Sequence, residues 1–114
     1  MATIQNPLKL NPLQLRTLML LQELARHPAH ATPAAEPGEV IVSQLPYPHG
    51  DHVHVGGYVV SARYASGLTN LSVWKALERK GLAKSMYPLA ILLTAAGLAY
   101  DTAGTGGILH RADH

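Results

Sequence analysis

Cysteine is absent from the chain, and its absence excludes both a disulfide framework and a metal site built on thiolates. Long apolar runs are also absent, since the most apolar late segment, residues 88–99, is far shorter than the ~20 residues that a membrane span requires. Residues 1–6 lack the charged start and apolar stretch of a secretory signal. We therefore expect a cytoplasmic protein with no membrane partner.

Catalytic motifs are missing from the sequence as well. Its 114 residues include no nucleophile elbow and no phosphate-binding loop, and its 7 acidic side chains are scattered rather than paired. We therefore expect neither enzymatic activity nor a cofactor. Hydrophobic residues make up 47% of the chain, which is enough for the core of one domain and argues against general disorder.

Positive charge is concentrated in the second half of the chain. The formal net charge is only +2, but residues 1–60 carry three basic and four acidic side chains, whereas residues 61–114 carry six basic and three acidic ones. Between Arg63 and Lys84 there are five cations and one anion, Glu78. Since such a stretch is often only a solvated face, it favours an anionic partner only modestly.

The basic stretch coincides with a predicted helix-turn-helix in residues 59–81. The pattern indicates a short helix, a tight turn at residues 67–69 and a second helix that ends at Gly81. At about 100° per residue, the second helix has two distinct sides. The side predicted to be buried carries Leu71, Trp74 and Leu77. The side predicted to be exposed carries Ser72, Lys75 and Arg79.

A second strong helix signal lies near the N-terminus. Residues 1–10 are predicted to be an irregular lead-in, after which Asn11-Pro12 starts a helix that runs to about Arg26. This helix is apolar nearly all round, as is typical of a helix buried on more than one side. It is either a central core helix or a helix whose far side forms a homodimer interface. The proline-rich residues 29–38 are predicted to be a loop.

Strand signals lie on both sides of the helix-turn-helix. Residues 39–45 and 52–55 have strand character and form either a hairpin or a strand with an edge segment. Residues 82–93 are predicted to be two short strands joined by a tight turn, and Thr94 is a suitable N-cap for a closing helical turn. The glycine-rich residues 101–114 are predicted to be a flexible tail.

The order of these elements resembles the winged helix-turn-helix fold of MarR-like and PadR-like bacterial regulators. The string LERKGL at residues 77–82 is similar to the phrase that ends their recognition helix, and LLTAAG at residues 92–97 is similar to the one that ends their wing. The resemblance implies a small α+β winged-helix domain, residues 11–100, with an N-terminal core helix and a short β-wing. This chain departs from the pattern in its shorter residues 67–81 and longer residues 29–56.

The resemblance implies a transcriptional regulator that binds double-stranded DNA as a homodimer, with residues 70–80 in the major groove. The contacts that it implies are Arg63, Thr69, Asn70, Ser72, Lys75 and Arg79 on the helical segments, and Lys84, Ser85 and Tyr87 on the wing. The alternative is that the cations only solubilise the surface and the winged helix binds another protein. A small-molecule effector is also compatible, between the first helix and the strand segment, although no residue pattern marks its site.

Histidines are concentrated in residues 49–54. His49, Asp51, His52 and His54 are candidate ligands for Zn²⁺ or Ni²⁺, because positions 52 and 54 of a strand point to the same side. A metal-sensing regulator is therefore an alternative. No second ligand cluster supports it, and histidines on a turn and an exposed strand are common, so we expect no metal here.

Overall fold

A computed structural model of the protein describes residues 6–102 and the backbone of residues 110–111. Over these residues the chain is a small α+β domain with two antiparallel sheets. Its elements in chain order are α1 (Pro12–Leu24), β1 (Ala31–Pro33), β2 (Val40–Ser43), β3 (His52–Val55), β4 (Tyr58–Ser61), a 3₁₀ helix (Ala62–Thr69), α2 (Leu71–Arg79), β5 (Ala83–Met86), β6 (Ala90–Leu93), α3 (Ala95–Ala99) and β7 (His110–Arg111). No helix in these ranges has the length and apolar character needed to cross a bilayer.

Helix α1 begins where the Asn11-Pro12 pair predicts it. The Asn11 side chain accepts a hydrogen bond from the Gln14 backbone N–H at 2.8 Å. The Gln14 side chain in turn accepts one from the Asn11 N–H at 3.0 Å, which completes a capping box. The helix ends at Leu24, with Ala25 as its C-cap, so the predicted start is confirmed and the predicted end is two residues too far.

Helix α1 lies at the centre of the hydrophobic core. It packs against the 3₁₀ helix, α2, α3 and β3. The side chains of Leu18, Leu20, Leu21 and Leu24 are fully buried within this single chain. The buried apolar side chains of α1 are thus covered by the protein's own elements, which favours the central-core alternative.

The first sheet has the strand order β1-β2-β6-β5, and all neighbouring strands are antiparallel. Strands β5 and β6 form the two-strand hairpin predicted for residues 82–93, which confirms that expectation. This β5–β6 hairpin is termed the wing. The predicted hairpin between residues 39–45 and 52–55 is wrong, because β2 pairs with β6 and places Val42 opposite Ile91. Both side chains are fully buried, so core packing determines this distant pairing. Residues 29–38 are also not entirely a loop, since they contain β1, which extends the sheet.

The second sheet has the order β3-β4-β7. Strand β4 occupies residues that were predicted to begin the first helix of the helix-turn-helix, so that part of the prediction is wrong. The register places Val53 opposite Val60, and both side chains are buried. Consecutive valines favour an extended strand over a helix. Gly56, with φ of 60°, supplies the left-handed residue that the two-residue turn between β3 and β4 requires.

The segment before α2 is a 3₁₀ helix rather than the predicted α-helix. It packs closely against α1, because a Cβ at Gly67 would overlap the Oγ1 atom of Thr17, which is fully buried. Glycine is needed at this position for close approach of the two elements. The predicted helix-turn-helix is therefore a 3₁₀ helix followed by α2, and its predicted turn at residues 67–69 lies within the 3₁₀ segment.

Helix α2 is bounded as the sequence predicts. Its N-cap is Asn70, and Gly81, with φ of 76°, follows its C-cap. The buried residues of α2 are Val73, Trp74, Ala76 and Leu77. The expectation for Leu71 is wrong, since its side chain is 39% exposed at the first position of the helix.

The two ends of the described domain meet beside α1. The Tyr100 hydroxyl donates to the side chain of Asn6, and the backbone N–H of Leu8 donates to that hydroxyl at 3.1 Å. The Gln22 side chain donates to the carbonyl of Tyr100, and Thr102 donates to Gln22 at 2.7 Å. The tail prediction for residues 101–114 falls partly outside the described residues. Within them, Thr102 is buried and residues 110–111 pair with β4, which a flexible tail does not predict.

Candidate nucleic-acid interface

The face of α2 that was predicted to contact DNA is exposed. Ser72, Lys75 and Arg79 project away from the core, whose residues on this helix begin at Val73. Across residues 6–102, no carboxylate forms an ion pair with either cation. Lys84, on β5, is also exposed and also has no ion-pair partner in this range. These three cations are therefore available to an external anion.

Glu78 connects α2 to the wing, and the sequence did not identify this role. Its Oε1 atom accepts a hydrogen bond from the Ser85 backbone N–H at 2.6 Å. Glu78 is the sequence neighbour of Arg79, and Ser85 is the neighbour of Lys84, so this bond joins the two segments that carry these cations. It also places one negative charge there, which opposes binding of a phosphate. The only sequence signal was a carboxylate seven residues before Ser85, and its partner is a backbone group that no motif marks.

Asn70 and Thr69 are largely occupied by contacts within the protein. The Asn70 side chain accepts from the backbone N–H groups of Ser72 and Val73, at 3.0 and 3.3 Å, so it caps α2. The Thr69 hydroxyl donates to the Ser66 carbonyl at 3.4 Å. Thr69 is exposed and Asn70 is partly buried. The Thr69 hydroxyl is therefore at the surface, whereas the Asn70 side-chain oxygen is used to cap α2.

Tyr87 turns inward from the wing towards the start of α2. Its hydroxyl donates to the Thr69 carbonyl at 2.9 Å, and its ring meets the edge of Trp74 at a centroid distance of 4.9 Å. The Ser85 hydroxyl accepts from the Tyr87 N–H at 3.3 Å. These contacts hold the wing tip against the helix. Tyr87 and Ser85 therefore position the wing, and of the three predicted wing contacts only Lys84 has a free, charged side chain.

Arg63 lies outside this group, at the start of the 3₁₀ helix. Its guanidinium donates to the Tyr64 hydroxyl at 3.1 Å and lies 4.8 Å from the centre of the Tyr64 ring. The guanidinium of Arg16, from α1, lies 5.2 Å from the same ring centre. Arg63 therefore lies near α1, through the Tyr64 ring that it shares with Arg16, and not with the contacts predicted on the wing.

The three histidines of residues 49–54 lie close together. Their ring centroids are 5.1 to 6.3 Å apart, and His52 Nδ1 is 3.5 Å from Asp51 Oδ1. Nevertheless, the part of the chain that the structure describes contains no group of three or more ligand side chains arranged to hold a metal ion. The side chain of Asp51 points into solvent. The metal-sensing alternative therefore gains no geometric support from this hairpin.

A groove of about 840 Å³ lies between the β2–β3 loop and the wing tip. Its walls include Leu45, Tyr47, Leu68, Tyr87 and Leu89, and no charged residue lines it. Tyr47 and Leu89 are 80% and 79% exposed. The sequence placed a possible effector site between the first helix and the strand segment, but no residue of α1 lines this groove. The space open to a ligand here is at the wing tip.

Comparison of the sequence with known protein families, with curated proteins and with solved structures finds no match. The interpretation of the surface formed by α2 and the wing therefore rests on its own geometry and charge.

Proposed function

We propose that this protein is a winged helix-turn-helix regulator that binds double-stranded DNA through α2 and the wing. The observation that carries the proposal is the set of three exposed cations, Lys75, Arg79 and Lys84, which have no carboxylate partner within residues 6–102. Phosphate groups attract such side chains, and an exposed helix face with Ser72 beside the cations suits the major groove.

The strand order supports the winged-helix part of the proposal. In the winged helix-turn-helix fold that the sequence resembles, one strand precedes the helix-turn-helix and two strands follow it as the wing. Here β2 precedes the 3₁₀ helix and α2, whereas β5 and β6 follow them, and the three form one sheet in the order β2-β6-β5. The 3₁₀ helix takes the place of the first helix of the motif. The β3–β4 hairpin is an insertion between β2 and the 3₁₀ helix.

The proposed mechanism assigns a different task to each group. Helix α2 enters the major groove, where Ser72 and Lys75 meet base edges and Arg79 meets a base edge or a phosphate. Lys84 contacts a flanking phosphate from the wing. Glu78 holds the wing at its angle to α2 through the Ser85 N–H, so the two binding elements present a fixed surface to the duplex.

The test is fluorescence anisotropy with random-sequence duplex DNA, titrated at low and then moderate salt. We expect Lys75→Ala and Arg79→Ala each to weaken binding. In non-specific complexes with random-sequence DNA both cations contact phosphates, so each change should also lower the slope of log affinity against log salt by about 0.9. Lys80→Ala is the matched control, since it removes the same charge from the exposed C-cap of α2, away from the Lys75 and Arg79 arc. Equal affinities for the three variants and the parent protein would contradict the proposed face.

A homodimer remains part of the proposal, with an interface other than the buried face of α1. A two-fold dimer would read two half-sites about one DNA turn apart. Sedimentation equilibrium of the free protein and of its complex with DNA measures the stoichiometry directly. One protein chain per specific site would contradict the dimer without affecting the contacts of α2.

A protein-binding module is the second candidate, and the groove at the wing tip favours it. Tyr47 and Leu89 expose large apolar side chains at the rim of an uncharged groove. Exposed apolar surface of this kind is often an interaction site. Salt separates the two functions, because binding to DNA through several phosphates weakens steeply as salt rises, whereas binding in an apolar groove does not. Absence of DNA binding even at low salt would favour this candidate.

A further inference from the structure

Arg16 is a cation without an acceptor. It lies on α1 and is partly buried, and its Nε atom is fully enclosed with no hydrogen-bond partner. None of its nitrogens donates a hydrogen bond within the described residues, and its one charge-related contact there is with the Tyr64 ring, at 5.2 Å. Enclosing part of a guanidinium without an acceptor is unfavourable, because the group loses water and gains nothing in exchange.

A second guanidinium contacts the same ring. Arg63 lies 4.8 Å from the centre of Tyr64 and donates to its hydroxyl, but it has no carboxylate partner across residues 6–102. The Tyr64 ring, which packs against the core, thus contacts both positive groups. An anion that reaches both guanidinium groups would be attracted by each of them.

No carboxylate within residues 6–102 forms an ion pair with Arg16 or Arg63. Glu23 pairs with Arg26 and His27 at the other end of α1, and Asp51 lies next to His52. The pair formed by Arg16 and Arg63 is therefore not one side of an internal ion pair in the described part of the chain. Its remaining N–H groups require an acceptor from outside the domain or from water.

We propose that Arg16 and Arg63, oriented by Tyr64, form a binding site for phosphate groups. Guanidinium groups match phosphate oxygens in geometry and charge, and stacking on an aromatic ring fixes the plane of each fork before the ligand arrives. Two guanidinium groups suit a ligand with two neighbouring phosphates. Such phosphates come either from the DNA backbone, which depends on the proposed function above, or from a free diphosphate, which does not.

The experiment uses inorganic pyrophosphate alone as the first probe, in isothermal titration at constant ionic strength. We expect the parent protein to bind pyrophosphate, and Arg63→Gln and Arg16→Gln each to weaken it by at least about tenfold, as expected for loss of one charge-assisted bidentate contact. Arg26→Gln is the control, since it removes an exposed cation that lies just beyond the C-terminal end of α1 and does not contact Tyr64 within the described residues. Because Arg63 is exposed, its variant tests the site even if Arg16→Gln unfolds the domain.

The second probe is duplex DNA. For the same variants, the slope of log affinity against log salt is measured. If Arg63→Gln and Arg16→Gln lower the slope by about 0.9 each, the DNA backbone is a source of the phosphates. If they weaken pyrophosphate binding and leave the DNA slope unchanged, the site serves a free phosphate ligand. If the parent protein fails to bind DNA but binds pyrophosphate through these residues, the proposed regulator is wrong and this site stands. Unchanged binding of both probes in the two variants overturns the site.

Discussion

Replacing Gly67 by alanine should loosen the junction between the 3₁₀ helix and α1. A Cβ at this position would overlap Thr17 Oγ1 and lie 3.0 Å from Thr17 Cβ. Thr17 has little freedom to move, because it is fully buried and its hydroxyl donates to the Leu13 carbonyl at 2.8 Å. The added methyl group therefore forces either a rotation of Thr17 or a displacement of the 3₁₀ helix.

Each of these responses breaks a hydrogen bond. Rotation of Thr17 loses its bond to Leu13, and displacement of the 3₁₀ helix lengthens the 3.1 Å bond from Trp74 Nε1 to the Gly67 carbonyl, which is buried. A lost bond of this type costs about 1 kcal/mol, and overpacking of a core costs about 1–3 kcal/mol. We therefore expect Gly67→Ala to lower the free energy of unfolding by about 2–3 kcal/mol.

Urea denaturation measures this loss. Trp74 is the single tryptophan of the chain and contacts the mutated position, so its fluorescence reports on the junction, while far-UV circular dichroism reports on the whole fold. With a urea m-value of about 1–2 kcal/mol/M, the midpoint should fall by about 1–3 M. Gly57→Ala is the control, since its added Cβ meets no atom within 4 Å and its φ is not in the left-handed region.

A double-mutant cycle identifies the cause. In a Thr17→Ala background the overlapping Oγ1 atom is gone, so Gly67→Ala should cost at least about 1 kcal/mol less than in the parent protein. The same cost in both backgrounds, or a Gly67→Ala variant as stable as Gly57→Ala, would refute the argument that this glycine is required for close packing.

Three further substitutions test the helix that bears the proposed contacts. Trp74→Ala should lower the free energy of unfolding by about 3–5 kcal/mol, since the ring is fully buried, and a loss below about 1 kcal/mol in urea denaturation would contradict that role. Asn70→Ala should cost about 1 kcal/mol through loss of the α2 cap, whereas Asn70→Asp should cost much less in the same assay. Glu78→Gln keeps an acceptor for the Ser85 N–H but removes the negative charge, so DNA affinity at low salt should rise severalfold in fluorescence anisotropy; unchanged affinity would place Glu78 outside the interface.

Local signals predicted α1, α2, α3 and the hairpin of β5 and β6, because the causes of these elements are local. The Asn11 cap of α1, the Thr94 cap of α3 and the glycine after α2 act within a few residues, and the structure has all three. The exposure of Lys75 and Arg79 also follows from helix geometry alone.

The remaining features depend on partners far away in sequence. Val42 lies opposite Ile91, a pairing set by burial of both side chains, and no local pattern identifies that partner. The prediction failed for residues 59–61 because it followed the basic helical stretch and gave no weight to the adjacent valines that pair with β3. In the candidate site, the inward contact of Tyr87 with the Thr69 carbonyl depends on where the wing tip folds, which sequence spacing does not encode.

The hydrogen bonds that join α1 to the segment ending at Tyr100 have a consequence for synthesis on the ribosome. Helix α1 is made first, yet its Gln22 side chain bonds to the carbonyls of Gly97 and Tyr100, which are made last among these residues. These bonds form only after nearly the whole described chain has been made. The pairing of β2 with β6 likewise requires residues made about 50 positions later. The apolar surface of α1 therefore stays incompletely covered until the segment through Tyr100 has left the exit tunnel. During that interval this apolar surface is exposed to solvent, and surface of this kind promotes aggregation.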